Sequence, residues 1–197
     1  MRILNLLPLL FLIFVSVTGT AQTLAEAINK KDTATVVRLI LEGADVNKPD
    51  DNGSLISGVC HFAGDDTLMV KFLLQHGAKP DEPRSPKGRT SLIVACAYYS
   101  GIPMCRLLLR YGANINAVTL DGTTALMMAA HNAKAGLVEY LIKKGADAFA
   151  KDANGNTALV YAQHATVDEY MLKSMKDVKI DKDETVSILT KATAAKP

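Results

Sequence analysis

Residues 107–116 read Leu-Leu-Leu-Arg-Tyr-Gly-Ala-Asn-Ile-Asn, and three other segments of the chain follow the same pattern. The glycines of the four segments are Gly43, Gly77, Gly112 and Gly145, at intervals of 34, 35 and 33 residues. A second motif, Gly-x-Thr-x-Leu, recurs at 88–92, 122–126 and 155–159. Two motifs that recur in the same phase predict a stacked array of repeats with a period of about 34 residues.

This pair of motifs resembles the ankyrin repeat. In that family a unit runs from a turn through Gly-x-Thr-Pro-Leu-His and two short helices to a Gly-Ala-Asp-x-Asn loop. The resemblance covers nearly all of the chain after residue 21, and it implies an all-α solenoid of helix–turn–helix units with hairpin-like loops. The family's proline is replaced by Ser91, Ala125 and Ala158, and we expect this to lower stability modestly without changing the fold.

The residues within one unit favour the same fold. Leu137, Val138, Leu141 and Ile142 form an apolar stripe at helical spacing. The Thr of the second motif is suited to capping the first N–H groups of a helix. Gly145 is suited to ending the next helix in the left-handed conformation. Because no single unit can bury both of its faces, neighbouring units are expected to stack into one continuous core.

The sequence predicts about five units in a domain that covers residues 22–176. Their ranges are 22–47, 48–81, 82–116, 117–149 and 150–176. Unit two is degenerate, because no Thr-x-Leu follows Gly53, and its first helix is predicted near residues 56–63. Unit three carries one extra residue, and its Pro103 fits the first turn of a helix.

The end of the array departs from the pattern. Unit five loses the motif after Gln163, although residues near Tyr170 are predicted to form its second helix. Residues 177–197 are predicted to form a C-terminal capping helix, over 183–192, and a tail. Terminal repeats are commonly atypical because one of their faces meets water.

The first 21 residues have the order of a secretory signal. Arg2 precedes an apolar run from Ile3 to Val17, and small residues follow at 18–21. Cleavage is expected before Gln22. An uncleaved membrane anchor is the alternative, but a run broken by Pro8 falls short of the ~20 residues that span a bilayer. The sequence therefore predicts an exported protein, periplasmic or secreted, that leaves the membrane after cleavage.

The charge and the motifs argue against several classes of function. The formal net charge is +2 and the basic residues are scattered among acidic ones, which predicts no nucleic-acid partner. None of the four histidines belongs to a zinc-binding pattern. Residues 50–53 lack the alternating ligands of a calcium loop, and no nucleophile or phosphate-binding motif is present. We therefore expect no enzymatic activity, no metal and no cofactor.

The three cysteines leave alternatives open. Cys60 and Cys96 are predicted on the first helices of adjacent units, and export would permit a disulfide between them. Cys96 and Cys105 flank one helix–turn–helix and form a second possible pair. In the third interpretation all three fill small core positions as free thiols, where cysteine is common.

The resemblance also implies a binding surface. In ankyrin repeat proteins, partners typically meet the concave face, which combines the loop tips with the exposed side of the first helices. By position, the implied contact residues are Phe62, Arg89, Tyr98, Leu120, Thr123, His131, Asn132 and Asn156. Aromatic and arginine side chains are the usual anchors of interfaces. The alternatives are that Phe62 and Tyr98 pack against neighbouring helices, and that His131 and the equivalent His164 are simply solvated.

These inferences predict a monomeric, non-catalytic module that binds a protein partner through its concave face. A secreted effector and a structural or self-assembling solenoid are the alternatives. By family analogy alone, some exported bacterial proteins of this kind act as immunity or protective factors.

Overall fold

A computed structural model describes residues 22–51, 53–62, 67–84, 87–98, 101–166 and 180–194. These residues form ten helices and no β-strand. The helices are α1 (Leu24–Asn29), α2 (Thr33–Leu41), α3 (Leu55–Phe62), α4 (Leu68–Gln75), α5 (Ser91–Ala97), α6 (Ile102–Arg110), α7 (Ala125–His131), α8 (Ala135–Lys143), α9 (Ala158–Gln163) and α10 (Lys182–Ala194). The predicted signal at 1–21 and the predicted second helix of unit five lie outside the described residues.

The first eight helices form consecutive pairs, one pair in each of the first four predicted units. Helix α3, in the degenerate unit two, lies close to its predicted range, and Pro103 stands in the first turn of α6 as expected. The first helices α3, α5, α7 and α9 pack more closely on one another than α6 packs on α8. The face of the first helices is called the inner side of the stack below, and the face of the second helices the outer side. The all-α solenoid predicted from the sequence is confirmed.

The core is one seam that runs through all the units. Its almost fully buried members include Val36, Ile56, Leu73, Leu92, Leu108, Leu126, Leu141 and Leu189. Each such side chain stabilises the fold by about 1.5–3 kcal/mol relative to an exposed one. In α8 the predicted stripe is confirmed for Leu137, Val138 and Leu141, whereas Ile142 is half-buried.

The repeat motifs act at the ends of the helices. Gly145 follows α8 with a φ of +96°, in the left-handed region that glycine adopts without steric cost, as predicted. Thr124 caps α7, because its Oγ1 accepts a hydrogen bond of 3.2 Å from the Met127 N–H. The same role predicted for Thr90 and Thr157 is wrong, since neither side chain makes a cap hydrogen bond.

A ladder of side-chain amides and carboxylates fastens each loop to the next. Asn116 Nδ2 donates to the Gly145 carbonyl at 3.3 Å, and its Oδ1 accepts from the Asp147 N–H at 2.9 Å. Asn47 joins units one and two in the same way, and the Asp81 carboxylate accepts from the loop of unit three. The fourth residue after Gly43, Gly77 and Gly112 therefore holds neighbouring units in register.

Helix α10 covers the far end of the stack. It packs against α8 and α9, and its Leu189 is fully buried while Val186 and Ile188 are half-buried. The Asp181 N–H also donates to the Ala133 carbonyl at 2.8 Å. This helix occupies the place of the predicted cap and spans a few residues more than 183–192. Among the described residues, none of the helices combines the length and apolarity that crossing a bilayer requires.

Candidate functional site

The long turns between units form a row beside the inner helices. The Leu120 N–H donates to the Lys87 carbonyl at 3.1 Å, and the Ala153 N–H donates to the Asp121 carbonyl at 2.8 Å. An isolated β-bridge links Gly53 to the turn at residues 84–89. Because each turn bonds to the next, side chains at the turn tips and on the inner helices lie on one continuous surface.

The first half of this surface carries a cationic cluster, formed by His61, Arg84, Arg89 and Tyr98. The Arg89 Nη1 donates to the Tyr98 hydroxyl at 3.2 Å. The imidazole of His61 meets the Tyr98 ring edge to face, with centroids 3.9 Å apart and planes at 62°. The Arg84 guanidinium lies on Gly58 of α3, where any side chain larger than hydrogen would collide with it. Two guanidinium groups thus lie near one pair of aromatic rings.

The pKa of the His61 imidazole reflects the positive charge of the cluster. Partial burial lowers the pKa of His61, and the positive charges of Arg84 and Arg89 lower it further. A site that disfavours a third positive charge favours a negative one. The arrangement is therefore suited to accepting carboxylates in hydrogen bonds with the two guanidinium groups.

An apolar side chain adjoins the cluster. Leu120 is 82% exposed at the tip of the turn in unit four, and it lies against Gly88 of the preceding turn. Its backbone N–H is bonded to the Lys87 carbonyl, so the exposed side chain is held against the turn that carries Arg89. Leu120 is therefore available for contact with a partner protein beside the cationic cluster.

The second half of the surface is occupied by internal hydrogen bonds. The hydroxyls of Thr119 and Thr123 both donate to the Asp121 carboxylate. In unit five, the Tyr161 hydroxyl donates to Asp152 Oδ2 at 2.8 Å, and the Asn156 N–H donates to Asp152 Oδ1 at 2.8 Å. The carboxylates of Asp121 and Asp152 thus stabilise the turns in which they lie.

The pKa values agree with this assignment. Burial opposes ionisation of Asp152, but hydrogen bonds from Asn156, Tyr161 and Asn154 outweigh it and lower the pKa of the carboxyl. The Thr119 hydroxyl is the main cause of the lowered pKa of Asp121. Both groups are therefore ionised acceptors that stabilise the turns.

One known protein family matches this sequence. A model described as ankyrin repeats, in three copies, matches residues 24–119 and again residues 98–184, which together exceed half of the chain. The chain belongs to the ankyrin repeat family. Ankyrin repeats are generally protein–protein interaction modules, and the family is typically non-catalytic. In the described part of this ankyrin repeat protein, no group of three or more His, Cys, Asp or Glu side chains is arranged to hold a metal ion.

Several predicted contact residues of the ankyrin repeat domain do lie on the inner surface. Arg89 and Tyr98 are half-buried members of the cationic cluster, and Leu120 is exposed. His131 is exposed, with its ring centroid 6.1 Å from that of Tyr161. His164 is exposed as well, but its Nδ1 hydrogen-bonds with the Val160 carbonyl.

Other predicted contact residues are engaged inside the ankyrin repeat domain. Asn132 was expected on the exposed surface but is buried, because its amide donates to the Ala97 carbonyl at 2.8 Å and thus joins α7 to the end of α5. Thr123 is also buried, against the same expectation, by its bonds to Thr119 and Asp121. Asn156 is half-buried, and its side-chain amide donates a hydrogen bond to the Asp152 carboxylate. The side chain of Phe62 lies outside the described part of the chain.

The three cysteines of the ankyrin repeat domain are buried free thiols in the structure, so the Cys60–Cys96 disulfide is not formed. The Sγ atoms of Cys96 and Cys105 lie 3.7 Å apart. Burial raises the pKa of Cys60 to about 12. The arrangement corresponds to the interpretation in which cysteines fill small core positions.

The sequence did not indicate three residues of the inner surface. Arg84 precedes the second motif of unit three, His61 belongs to unit two, which lacks that motif, and their approach depends on packing between units. Tyr161 stands six residues after Gly155, where unit three has the buried Val94, so its position indicated core. The signal in the sequence that indicates the cluster is the pair of arginines at positions 84 and 89, before and within the second motif of unit three.

Proposed function

We propose that this chain is an exported, monomeric, non-catalytic module that binds an acidic patch of a partner protein through the cationic cluster and Leu120. The observation that carries the proposal is the placement of Arg84 and Arg89 around the stacked rings of His61 and Tyr98, next to a turn whose exposed Leu120 is held by a backbone bond. Guanidinium groups that are fixed before binding lose less conformational entropy when a carboxylate arrives.

The cluster resembles the energetic centre of a protein interface. Interface energy concentrates in arginine and aromatic side chains that are partly desolvated and surrounded by less important contacts. Arg89 and Tyr98 have this composition and this degree of burial. The turn residues Asp121 and Asp152 take part in internal networks, so the proposal assigns them a structural role.

The partner can be sought with a variant that removes the proposed anchors. The mature protein would be immobilised beside Arg89→Ala/Tyr98→Ala/Leu120→Ser, and proteins captured from its own cell envelope would be identified by mass spectrometry. Loss of an anchor typically weakens binding by at least 2 kcal/mol, so we expect the variant to lose the partner almost completely. Circular dichroism would show whether the variant keeps its helices.

Leu68→Ser is the matched control, because Leu68 is 75% exposed and lies on α4 in the outer row. This control should capture as much partner as the wild type. Equal capture by the triple variant and the wild type would refute the inner-surface proposal. Light scattering of the unliganded protein tests the monomer, which a stable homo-oligomer would contradict.

The export proposal rests on the sequence of residues 1–21. Expression of the tagged full chain in a Gram-negative host, followed by fractionation and mass determination, would give a mature protein that begins at Gln22. Replacing both Gly19 and Ala21 by Gln should block cleavage. A full-length wild-type chain in the cytosol would contradict export and would leave the binding proposal to be judged separately.

A further inference from the structure

A second candidate site lies on the opposite side of the stack, in a groove between the outer helices α6 and α8. The groove has a volume of about 670 Å³. Its walls carry Arg106 and Arg110 from α6 and Lys144 after α8, and Leu109, Ile115 and Tyr140 supply its apolar surface. This volume is within the range of pockets that bind small ligands or single side chains of a partner.

The positive groups of the groove are gathered around one aromatic ring. Arg106 Cζ lies 6.0 Å from the centroid of Tyr140, and Lys144 Nζ lies 5.9 Å from the same centroid. Within the part of the chain that the structure describes, no acidic side chain lines the groove. Glu139, which precedes Tyr140, is already paired with Lys143 at 2.8 Å. Like charges held near one ring repel one another, and this repulsion is relieved when an anion binds.

We propose that this groove binds an extended acidic peptide segment in which two carboxylates are two residues apart. Arg106 and Arg110 are one helical turn apart, which places their side chains about 6 Å from each other along α6. Alternate residues of an extended chain point to the same side and are about 6.8 Å apart. Two carboxylates of such a segment therefore meet the two guanidinium groups, while Lys144 closes the opposite wall.

The apolar part of the groove distinguishes a peptide from a simple polyanion. Leu109, Ile115 and the Tyr140 ring leave apolar surface between the charged walls, which an aliphatic side chain of the peptide covers. Inorganic phosphate or a sulfated polysaccharide would use the cations and leave this surface exposed. The site lies on different helices from the cationic cluster, and it does not depend on the proposed function of that cluster.

The test uses the mature chain and a fluorescein-labelled peptide that contains Glu-Ser-Glu-Ser-Leu, in which both glutamates and the leucine lie on one face of the extended chain. A Gln-Ser-Gln-Ser-Leu peptide is its counterpart. Fluorescence anisotropy at low salt should show saturable binding of the acidic peptide. Arg106→Gln/Arg110→Gln should weaken this binding by about tenfold or more, since charge-assisted hydrogen bonds are lost. Lys71→Gln is the control, because Lys71 is the exposed counterpart of Arg106 six residues before the repeat glycine of unit two.

Thermal unfolding separates binding from folding. Because the proposed site holds like charges together, the double variant should be at least as stable as the wild type. Three results would overturn the proposal: no saturable binding of the acidic peptide, equal binding by the double variant, or equal binding of the glutamine peptide. Displacement of the peptide by inorganic phosphate at equal concentration would also overturn it, in favour of a general anion site.

Discussion

The guanidinium of Arg89 and the hydroxyl of Tyr98 are joined by a hydrogen bond of 3.2 Å, between the turn of unit three and the end of its own first helix. The same tyrosine ring packs against the imidazole of His61 from unit two. One residue thus orients a positive group and links two units. The charge of the inner surface is consequently coupled to the packing of the stack. Measurements of stability as a function of pH therefore test the cluster.

His61 is expected to make stability depend on pH near neutrality. Its pKa in the folded protein lies below the ordinary value of 6.5, because of partial burial and the nearby Arg84 and Arg89. As the pH falls below 6.5, the unfolded chain takes up a proton that the folded chain refuses, so stability decreases through the interval down to the folded pKa. Urea unfolding between pH 8 and pH 5 should show this decrease.

The variant His61→Gln should flatten the pH profile in that interval, and His164→Gln is the matched control on the inner row. An NMR titration of the His61 imidazole measures the folded pKa directly. A midpoint at or above 6.5 would contradict the described environment. Acid unfolding at lower pH is a separate process, in which Asp121 and Asp152 lose their hydrogen-bonded, ionised state.

Gly122 and Gly155 provide a matched test of how the turns stack. Both have positive φ, +78° and +81°, so alanine at either position costs about 1–2 kcal/mol in backbone strain. A Cβ at Gly122 would also lie 3.0 Å from the Asp152 Cα, whereas a Cβ at Gly155 would meet nothing within 4 Å. Gly122→Ala should therefore lower the free energy of unfolding clearly more than Gly155→Ala. Equal losses in urea unfolding would show that the turns do not approach so closely.

Asn116 tests the ladder between loops. Replacement by alanine removes its hydrogen bonds to Gly145 and Asp147, and we expect a loss of about 1–2 kcal/mol in the free energy of unfolding. The control is Asn154→Ala at an exposed turn tip, which should stay within about 0.5 kcal/mol of the wild type. A loss for Asn116→Ala as small as that of the control would mean that the ladder does not stabilise the stack.

The buried thiols should be unreactive in the native protein. Burial raises the pKa of Cys60 to about 12, and the hydrogen bond to Cys96 together with burial raises that of Cys105. Since the thiolate is the reactive form, iodoacetamide at pH 8 should give no adduct on the native protein and three after denaturation. Mass spectrometry counts the adducts. A single adduct after denaturation without reductant would reveal a disulfide.

The fold was largely predictable because it depends on a repeated local pattern. The glycines after each second helix have the left-handed backbone that their period implies, and α3 formed even though unit two lacks Thr-x-Leu. Its apolar residues Leu55, Ile56 and Val59 are sufficient when both neighbouring helices cover them. Stacking therefore compensates for a missing motif.

The candidate site was less predictable because it depends on contacts between units. Asn132 stands beside the exposed His131, but the bend after α7 turns its amide toward α5. Arg84 reaches Gly58 across a unit boundary, which sequence position alone does not encode. Whether a predicted contact residue lies on the inner surface therefore depends on the direction of its side chain at the end of a short helix, which secondary structure does not determine.

Hydrogen–deuterium exchange on the complex with the captured partner maps the surface that the partner covers. If the partner binds the cationic cluster and Leu120, amides of 55–62, 87–98 and 118–124 should exchange more slowly in the complex than in the free protein. Helices α2 and α4 of the outer row should be unchanged. Slower exchange confined to the outer helices, with no change at 55–62 and 87–98, would contradict the account.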